Sequence, residues 1–180
     1  MIPDKNGDGI KDLLVVCGGN AKAEPFKKEG RVPGVLMVLN AKTGDALAAD
    51  TVPDGGEAYM PPLYAQQKDG TEQIVFGTGG ETLDGHLYLT DTEHLLRNDL
   101  STAHILAADS GHGFIAPTVA ADINGDGYLD IVYGQYYSAT PDLILFLGMR
   151  VKRISYQHQT AGKSAVGGVY GEWGRSIFEQ

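Results

Sequence analysis

Residues 122–130 read Asp122-Ile-Asn-Gly-Asp-Gly-Tyr-Leu-Asp130, and Ile131-Val132-Tyr133-Gly134 follow directly. The same phrase stands near the start as Asp4-Lys-Asn-Gly-Asp-Gly-Ile-Lys-Asp12, followed by Leu13-Leu14-Val15-Val16. Each copy places side-chain oxygens at positions 1, 3, 5 and 9 of a nine-residue loop. Glycines between them let the backbone turn tightly. A hard cation such as calcium takes six to eight oxygen ligands, which a short Asp/Asn-Gly loop supplies without long side chains. The spacing therefore predicts two structural calcium sites, each opening onto a β-strand. The ligands of the first are Asp4, Asn6, Asp8, the Ile10 carbonyl and Asp12. Those of the second are Asp122, Asn124, Asp126, the Tyr128 carbonyl and Asp130. An EF-hand is excluded, because it needs a glutamate at position 12 and a following helix. Position 12 is Val15 in one copy and Tyr133 in the other, and both lie in strand-like runs.

A repeat decides the architecture. Asp12-Leu-Leu-Val-Val-Cys-Gly-Gly19, Gln73-Ile-Val-Phe-Gly-Thr-Gly-Gly80 and Asp130-Ile-Val-Tyr-Gly-Gln135 share one pattern. Each is a short β-branched or aromatic run closed by glycine, the signature of a buried strand. A second strand follows each at Gly34–Asn40, Gly85–Asp91 and Asp142–Gly148. Third strands are expected at Asp45–Thr51, Thr102–Ala108 and Arg153–Gln159, the last reached through a connection at Met149–Lys152. Another strand precedes the loop at Met60–Ala65 and Phe114–Ala120, where prolines suit a strand start or edge. The unit is thus about four strands in roughly sixty residues. A lone four-stranded sheet cannot bury both faces, and radial stacking does so, which defines a β-propeller. The expectation is an all-β, single-domain partial propeller over 1–180. Its blades span 1–57, 58–112 and 113–162, with a partial blade or poorly packed tail at 163–180. The first blade lacks its innermost strand, so the remainder of the ring is expected elsewhere in a longer parent chain.

The middle repeat has decayed. Gln66-Gln67-Lys68-Asp69-Gly70-Thr71-Glu72-Gln73 keeps Asp-Gly in register, but position 1 is Ala65 and position 9 is Gln73. The turn is kept and the metal is expected to be lost, which makes calcium a stiffener of one loop geometry.

The phrase Asp-x-Asn-Gly-Asp-Gly-x-x-Asp before a strand resembles the FG-GAP repeats of integrin-α-like β-propellers. In that family the loop carboxylates bind calcium, and the resemblance implies the same for the two intact loops. Phe114-Ile-Ala-Pro117 echoes part of the family's Phe-Gly and Gly-Ala-Pro wording. Gly34-Val-Leu-Met-Val-Leu-Asn-Ala-Lys-Thr-Gly44 is similar to repeats of pyrroloquinoline-quinone-type propellers, with Gly85–Asp91 as a weaker match. The sole tryptophan is Trp173, so the outer-strand tryptophan of quinoprotein blades is missing. Together these resemblances cover residues 4 to 160.

Composition narrows the function classes. Apolar residues make up 42% of the 180, which excludes a disordered chain. A net charge of −9 argues against a nucleic-acid backbone as partner. Cys17 is the only cysteine, so neither an intramolecular disulfide nor a cysteine-based zinc site is available. No run approaches the ~20 apolar residues of a membrane helix, and no signal peptide is present in this chain.

No catalytic constellation stands out. None of His86, His94, His104, His112 and His158 forms a pair at the spacing of a helical zinc motif. His86 reads as a packing or rim residue. His112, in Ser110-Gly-His-Gly113, is the best functional candidate, because it falls in a loop between blades. Gly-x-Ser-x-Gly is absent. Ala161-Gly-Lys-Ser164 lacks the first glycine of a phosphate loop, where Gln157 stands.

The function expected is a non-enzymatic, calcium-stabilised binding or adhesion scaffold of a secreted, periplasmic or cell-surface protein of bacterial type. Its ligand would be protein or carbohydrate. The rival is the propeller domain of a polysaccharide-active enzyme or of a quinoprotein-like oxidoreductase. An outer-membrane-assembly type of scaffold is a third reading, one without calcium loops.

Overall fold

The computed structural model describes residues 1–19, 32–67, 69–79, 84–110, 112–113, 118–126, 128–137 and 148–159. Within them the chain forms eleven strands and one helical turn: β1 (Leu13–Cys17), β2 (Val35–Leu39), β3 (Ala46–Thr51), β4 (Leu63–Gln66), β5 (Glu72–Gly77), β6 (Asp84–Asp91), α1 (Thr92–Leu96), β7 (His104–Ser110), β8 (His112–Gly113), β9 (Val119–Ala121), β10 (Tyr128–Tyr137) and β11 (Gly148–Gln159). The protein is all-β apart from that turn.

The strands pair as three antiparallel units. The first is β1-β2-β3, with Leu14 opposite Val38 and Met37 opposite Ala49. The middle one is β4-β5-β6-β7, a four-stranded meander. The third has β10 at its centre, β11 on one edge, and β9 and β8 in succession on the other. One parallel pair, Asp84 opposite His112, joins the middle unit to the third. No sheet closes on itself among the described residues.

Period-2 alternation explains how the units stack. Successive side chains on a strand point to opposite faces, so a sheet apolar at every position must be covered twice. The middle sheet is such a sheet along Leu63–Ala65, Ile74–Phe76 and Leu87–Leu89. On one face Leu63, Ala65, Val75, Leu87 and Leu89 pack with Ala120, Leu129, Ile131 and Tyr133 of the third sheet. On the other, Tyr64, Ile74, Phe76 and Tyr88 pack with Leu36, Val38 and Ile2 at the first sheet. Phe76 is fully buried, and its ring stacks on Tyr88 at a centroid distance of 5.2 Å. Burying a side chain of this size contributes about 1.5–3 kcal/mol. Three sheets therefore lie face against face, with the middle one buried on both sides.

Pro61 and Pro62 stand just ahead of β4, where no ladder donor is needed. The segment between β6 and β7, read from sequence as a plain connection, forms α1. Leu95 and Leu100 in and after it are fully buried. Asn98, at φ 56°, ends the turn in the left-handed region that asparagine tolerates. Its side-chain oxygen accepts the Ala49 amide at 2.9 Å, and Asp50 Oδ2 accepts the Leu100 amide at 2.8 Å. These bonds tie the middle sheet's connection to β3 of the first.

The third unit departs from expectation. Met149–Lys152, expected as a connection ahead of the strand, lies inside β11, which pairs directly with β10 from Tyr137 opposite Gly148 onward. Val151, Ile154 and Tyr156 give the run its β character, and the ladder to β10 carries it through Met149 and Lys152. Residues 142–147, expected as the second strand of that unit, lie outside the described residues. So do Phe114–Pro117 and the tail from Gly162.

Candidate functional site

The three turn loops precede β1, β5 and β10 at corresponding ends of the three sheets. Lys5 of the first loop donates to the Glu72 carboxylate beside the second, which places these two ends together.

The two intact loops fold alike. In the first, Asp4 Oδ1 accepts the Gly7 amide at 2.7 Å and Oδ2 the Gly9 amide at 2.7 Å. Asn6 Oδ1 accepts the Asp8 amide at 3.1 Å, and Asp8 Oδ1 the Ile10 amide at 2.9 Å. Asp12 Oδ2 reaches back to accept the Lys5 amide at 2.7 Å. In the second, Asp122 Oδ1 accepts the Gly125 amide at 2.7 Å. Asn124 Oδ1 accepts the Asp126 amide at 3.2 Å, and Asp126 Oδ1 the Tyr128 amide at 2.9 Å. Asp130 Oδ2 accepts the Ile123 amide at 3.1 Å. Four bonds thus recur at equivalent positions. Gly7, Gly9 and Gly125 take φ of 80°, 85° and 76°, a region that other residues enter only with strain.

These amides stabilise the charged carboxylates. The Gly9 amide, with further help from Gly7, Asn6 and Asp8, holds the Asp4 carboxyl below the usual carboxylate range. The Asn124 side chain does the same for Asp126, followed by the Tyr128 amide and the charge of Arg153.

Position 9 is where the loops differ. Asp12 is fully buried, and its Oδ1 has no hydrogen-bond partner. A buried, unpaired carboxylate oxygen is costly unless a cation meets it. In the middle loop position 9 is neutral: Gln73 donates to Asp91 Oδ1 at 2.9 Å and accepts from Gln67 Nε2 at 2.5 Å. There Asp69 Oδ1 still accepts the Thr71 amide at 2.9 Å, so the turn persists. Asp130, also buried, is satisfied otherwise. Its Oδ1 accepts the Ser155 hydroxyl at 3.1 Å, and Arg153 Nη1 lies 3.5 Å from Oδ2. The donors of the first loop are all hard oxygens and include one unsatisfied buried atom, so they suit a hard cation in kind. As the loops stand, no three His, Cys, Asp or Glu side chains among the described residues converge tightly enough to hold a metal.

A second polar cluster, not anticipated from sequence, lies at the opposite end of the sheets. Asp54, in the connection from β3 to β4, accepts the Thr78 hydroxyl at 2.6 Å and faces His86 Nδ1 at 2.7 Å, both through Oδ2. Its Oδ1 accepts the Gly56 amide at 2.9 Å. An ionised carboxylate only accepts, so His86 Nδ1 carries the proton and Nε2 is left for another partner. The His86 side chain is 26% exposed, whereas that of Asp54 is 10% exposed. The His86 and Tyr88 rings stand 5.4 Å apart. Burial first, then the charge and hydrogen bond of Asp54, push the Tyr88 phenol above its ordinary range. Such an oriented imidazole can accept or deliver one proton. Sequence reading placed His86 as a packing or rim residue and overlooked Asp54, which is 32 positions away. The signal available was Pro53-Asp54-Gly55-Gly56, which reads as an ordinary turn. The side chain of His112, the candidate preferred from sequence, lies outside the described residues. Its backbone pairs with Tyr137 and Asp84.

No protein-family model matches the chain, and no curated protein or solved structure matches it either. No helix among the described residues is long and apolar enough to cross a membrane.

Proposed function

We propose that this chain is part of a calcium-stabilised β-propeller that serves as a non-enzymatic binding or adhesion scaffold of a secreted, periplasmic or cell-surface protein. The observation that carries the reading is the pair of loops with four equivalent hydrogen bonds, one of them holding the unsatisfied, buried Asp12 Oδ1. Calcium would be held at Asp4, Asn6, Asp8, the Ile10 carbonyl and Asp12, with the corresponding set Asp122, Asn124, Asp126, the Tyr128 carbonyl and Asp130 in the second loop. Bound there, the ion supplies charge neutralisation and stiffness, not chemistry. Face-to-face stacking of the three sheets, with both sides of the middle one buried, supports radial arrangement as blades. The loop chemistry resembles FG-GAP repeats, and that resemblance underlies the extracellular assignment and a protein or carbohydrate ligand.

The experiment is a melting curve of the 180-residue chain with calcium and with excess EDTA. Calcium raises the melting temperature on this reading, and an unchanged curve overturns it.

A second reading is an enzyme, favoured by the Asp54–His86 pair at the end away from the metal-type loops. A glycan array paired with turnover assays separates the two. Binding without turnover supports the scaffold. Turnover abolished by His86→Gln supports the enzyme.

A further inference from the structure

The two intact loops share a backbone pattern and differ in what faces their ninth residue. The strand registers make the comparison direct. Leu14, Val75 and Val132 each stand two residues beyond position 9, and their partners on the next strand are Val38, Leu89 and Arg153. Two of the three sheets thus place a buried aliphatic residue there, and the third places a guanidinium. A residue diagonal to position 9 across a ladder is within reach of it for a long side chain. Arg153 uses that reach, lying 3.5 Å from the buried Asp130 carboxylate, while Ser155 takes the other oxygen. Its charge also acts on Asp126 at position 5 of the same loop. Asp12 has no such neighbour, and its Oδ1 is unmet.

We infer that Arg153 is a built-in counter-cation for the Asp122–Asp130 loop, so that the chain's two calcium sites are unequal: Asp4–Asp12 binds tightly, and Asp122–Asp130 binds weakly because the incoming ion must displace or share its carboxylates with a guanidinium. This rests on reading the loops as calcium sites. The physical ground is charge balance. A loop carrying three carboxylates gains most from a divalent ion when nothing else neutralises them. A guanidinium 3.5 Å from one of them, whose charge also reaches a second, reduces that gain and adds its own repulsion of the ion. The middle loop is the limiting case, because neutral Gln73 removes the need for any cation.

The test is a calorimetric titration of the full chain with calcium chloride alone, run on the unchanged protein, Arg153→Gln and Asp12→Asn. The unchanged protein should show one tight site and a second weaker by about tenfold or more. Arg153→Gln should tighten the weak site by about tenfold and leave the tight one unchanged. Asp12→Asn should remove the tight site and keep the weak one. Melting curves give an independent readout: without calcium, Arg153→Gln should melt lower than the unchanged protein, and calcium should restore the difference. An ion pair that is merely structural would not be rescued by calcium. Two equal sites in the unchanged protein, or an Arg153→Gln titration that matches it, would overturn the inference while leaving the scaffold reading intact. Absence of binding in all three proteins would overturn both.

Discussion

His86 Nδ1 stands 2.7 Å from Asp54 Oδ2, and the contact joins the first strand unit's exit loop to the third strand of the middle meander. The same carboxylate oxygen accepts the hydroxyl of fully buried Thr78. One aspartate therefore satisfies two side chains of the middle sheet and the Gly56 amide in its own loop. Replacing it by alanine removes the 2.6 Å acceptor of the buried Thr78 hydroxyl, which keeps only the His86 backbone, its amide at 3.0 Å and its carbonyl at 3.4 Å, and it leaves His86 Nδ1 without its carboxylate. Asp54→Ala is expected to cost about 1–3 kcal/mol, read from urea unfolding midpoints. Asp54→Asn, which can still accept, should cost less. Equal losses in the two variants would mean that the hydrogen bonds contribute little.

Calcium dependence should scale with occupancy. At a free concentration about one hundred times the dissociation constant, one site adds about 2.7 kcal/mol to stability. Asp12→Asn should abolish most of the response of the melting temperature to calcium while changing the calcium-free curve far less. Retention of the full response in this variant would place the effect outside the first loop.

Acid should loosen both loops in a defined window. Asp4 and Asp126 have folded values below the ordinary carboxylate range, because amide donors favour the charged form. A depressed folded value means that their contribution is complete above the unfolded value of about 4 and is lost as pH falls through the lower folded values. The contribution of these two groups should be constant above about pH 5 and should fall below about pH 4. Asp4→Asn should make the acid limb shallower, measured by melting in calcium-free buffers.

The stacked pair Phe76 and Tyr88 lies where the middle sheet meets the first. Phe76→Ala should destabilise by about 3–5 kcal/mol, and Phe76→Leu by less, because more of the volume is kept. A small loss for Phe76→Ala in chemical denaturation would argue that the first and middle sheets do not unfold together.

Asn98 separates a backbone effect from a side-chain one. Its φ of 56° favours glycine or asparagine, and its oxygen accepts the Ala49 amide. Asn98→Ala loses both features and Asn98→Gly loses only the hydrogen bond. Glycine should therefore be the milder change, by roughly 1 kcal/mol, in thermal or urea unfolding.

Much of the fold was legible because it is local. Alternation and β-branched runs placed β1 to β3 and β4 to β6 within a few residues of where they lie, since each strand's burial is written along its own length. The helical turn at Thr92–Leu96 was not legible. Five residues carry too little periodicity, and the turn is held by Leu95 and Leu100 packing under the first sheet. The connection expected at Met149–Lys152 is strand instead for a related reason: a strand of mixed Arg, Lys and Val is specified by the partner across the ladder, and that partner is β10.

By itself, the sequence determined the nine-residue Asp loops, their decay at Gln73 and the strands that follow, because these depend on side chains a few positions apart. Tertiary structure alone decided which of the chemically similar aspartates are satisfied. Asp12 and Asp130 occupy the same place in the same phrase, yet one has an unmet oxygen and the other a guanidinium and a hydroxyl. That difference comes from Ser155, which meets the oxygen that Asp12 leaves open, and from Arg153, both of which only strand register brings to Asp130. The Asp54–His86 pair has the same origin, since stacking two sheets brings together residues whose separation in the chain carries no local signal.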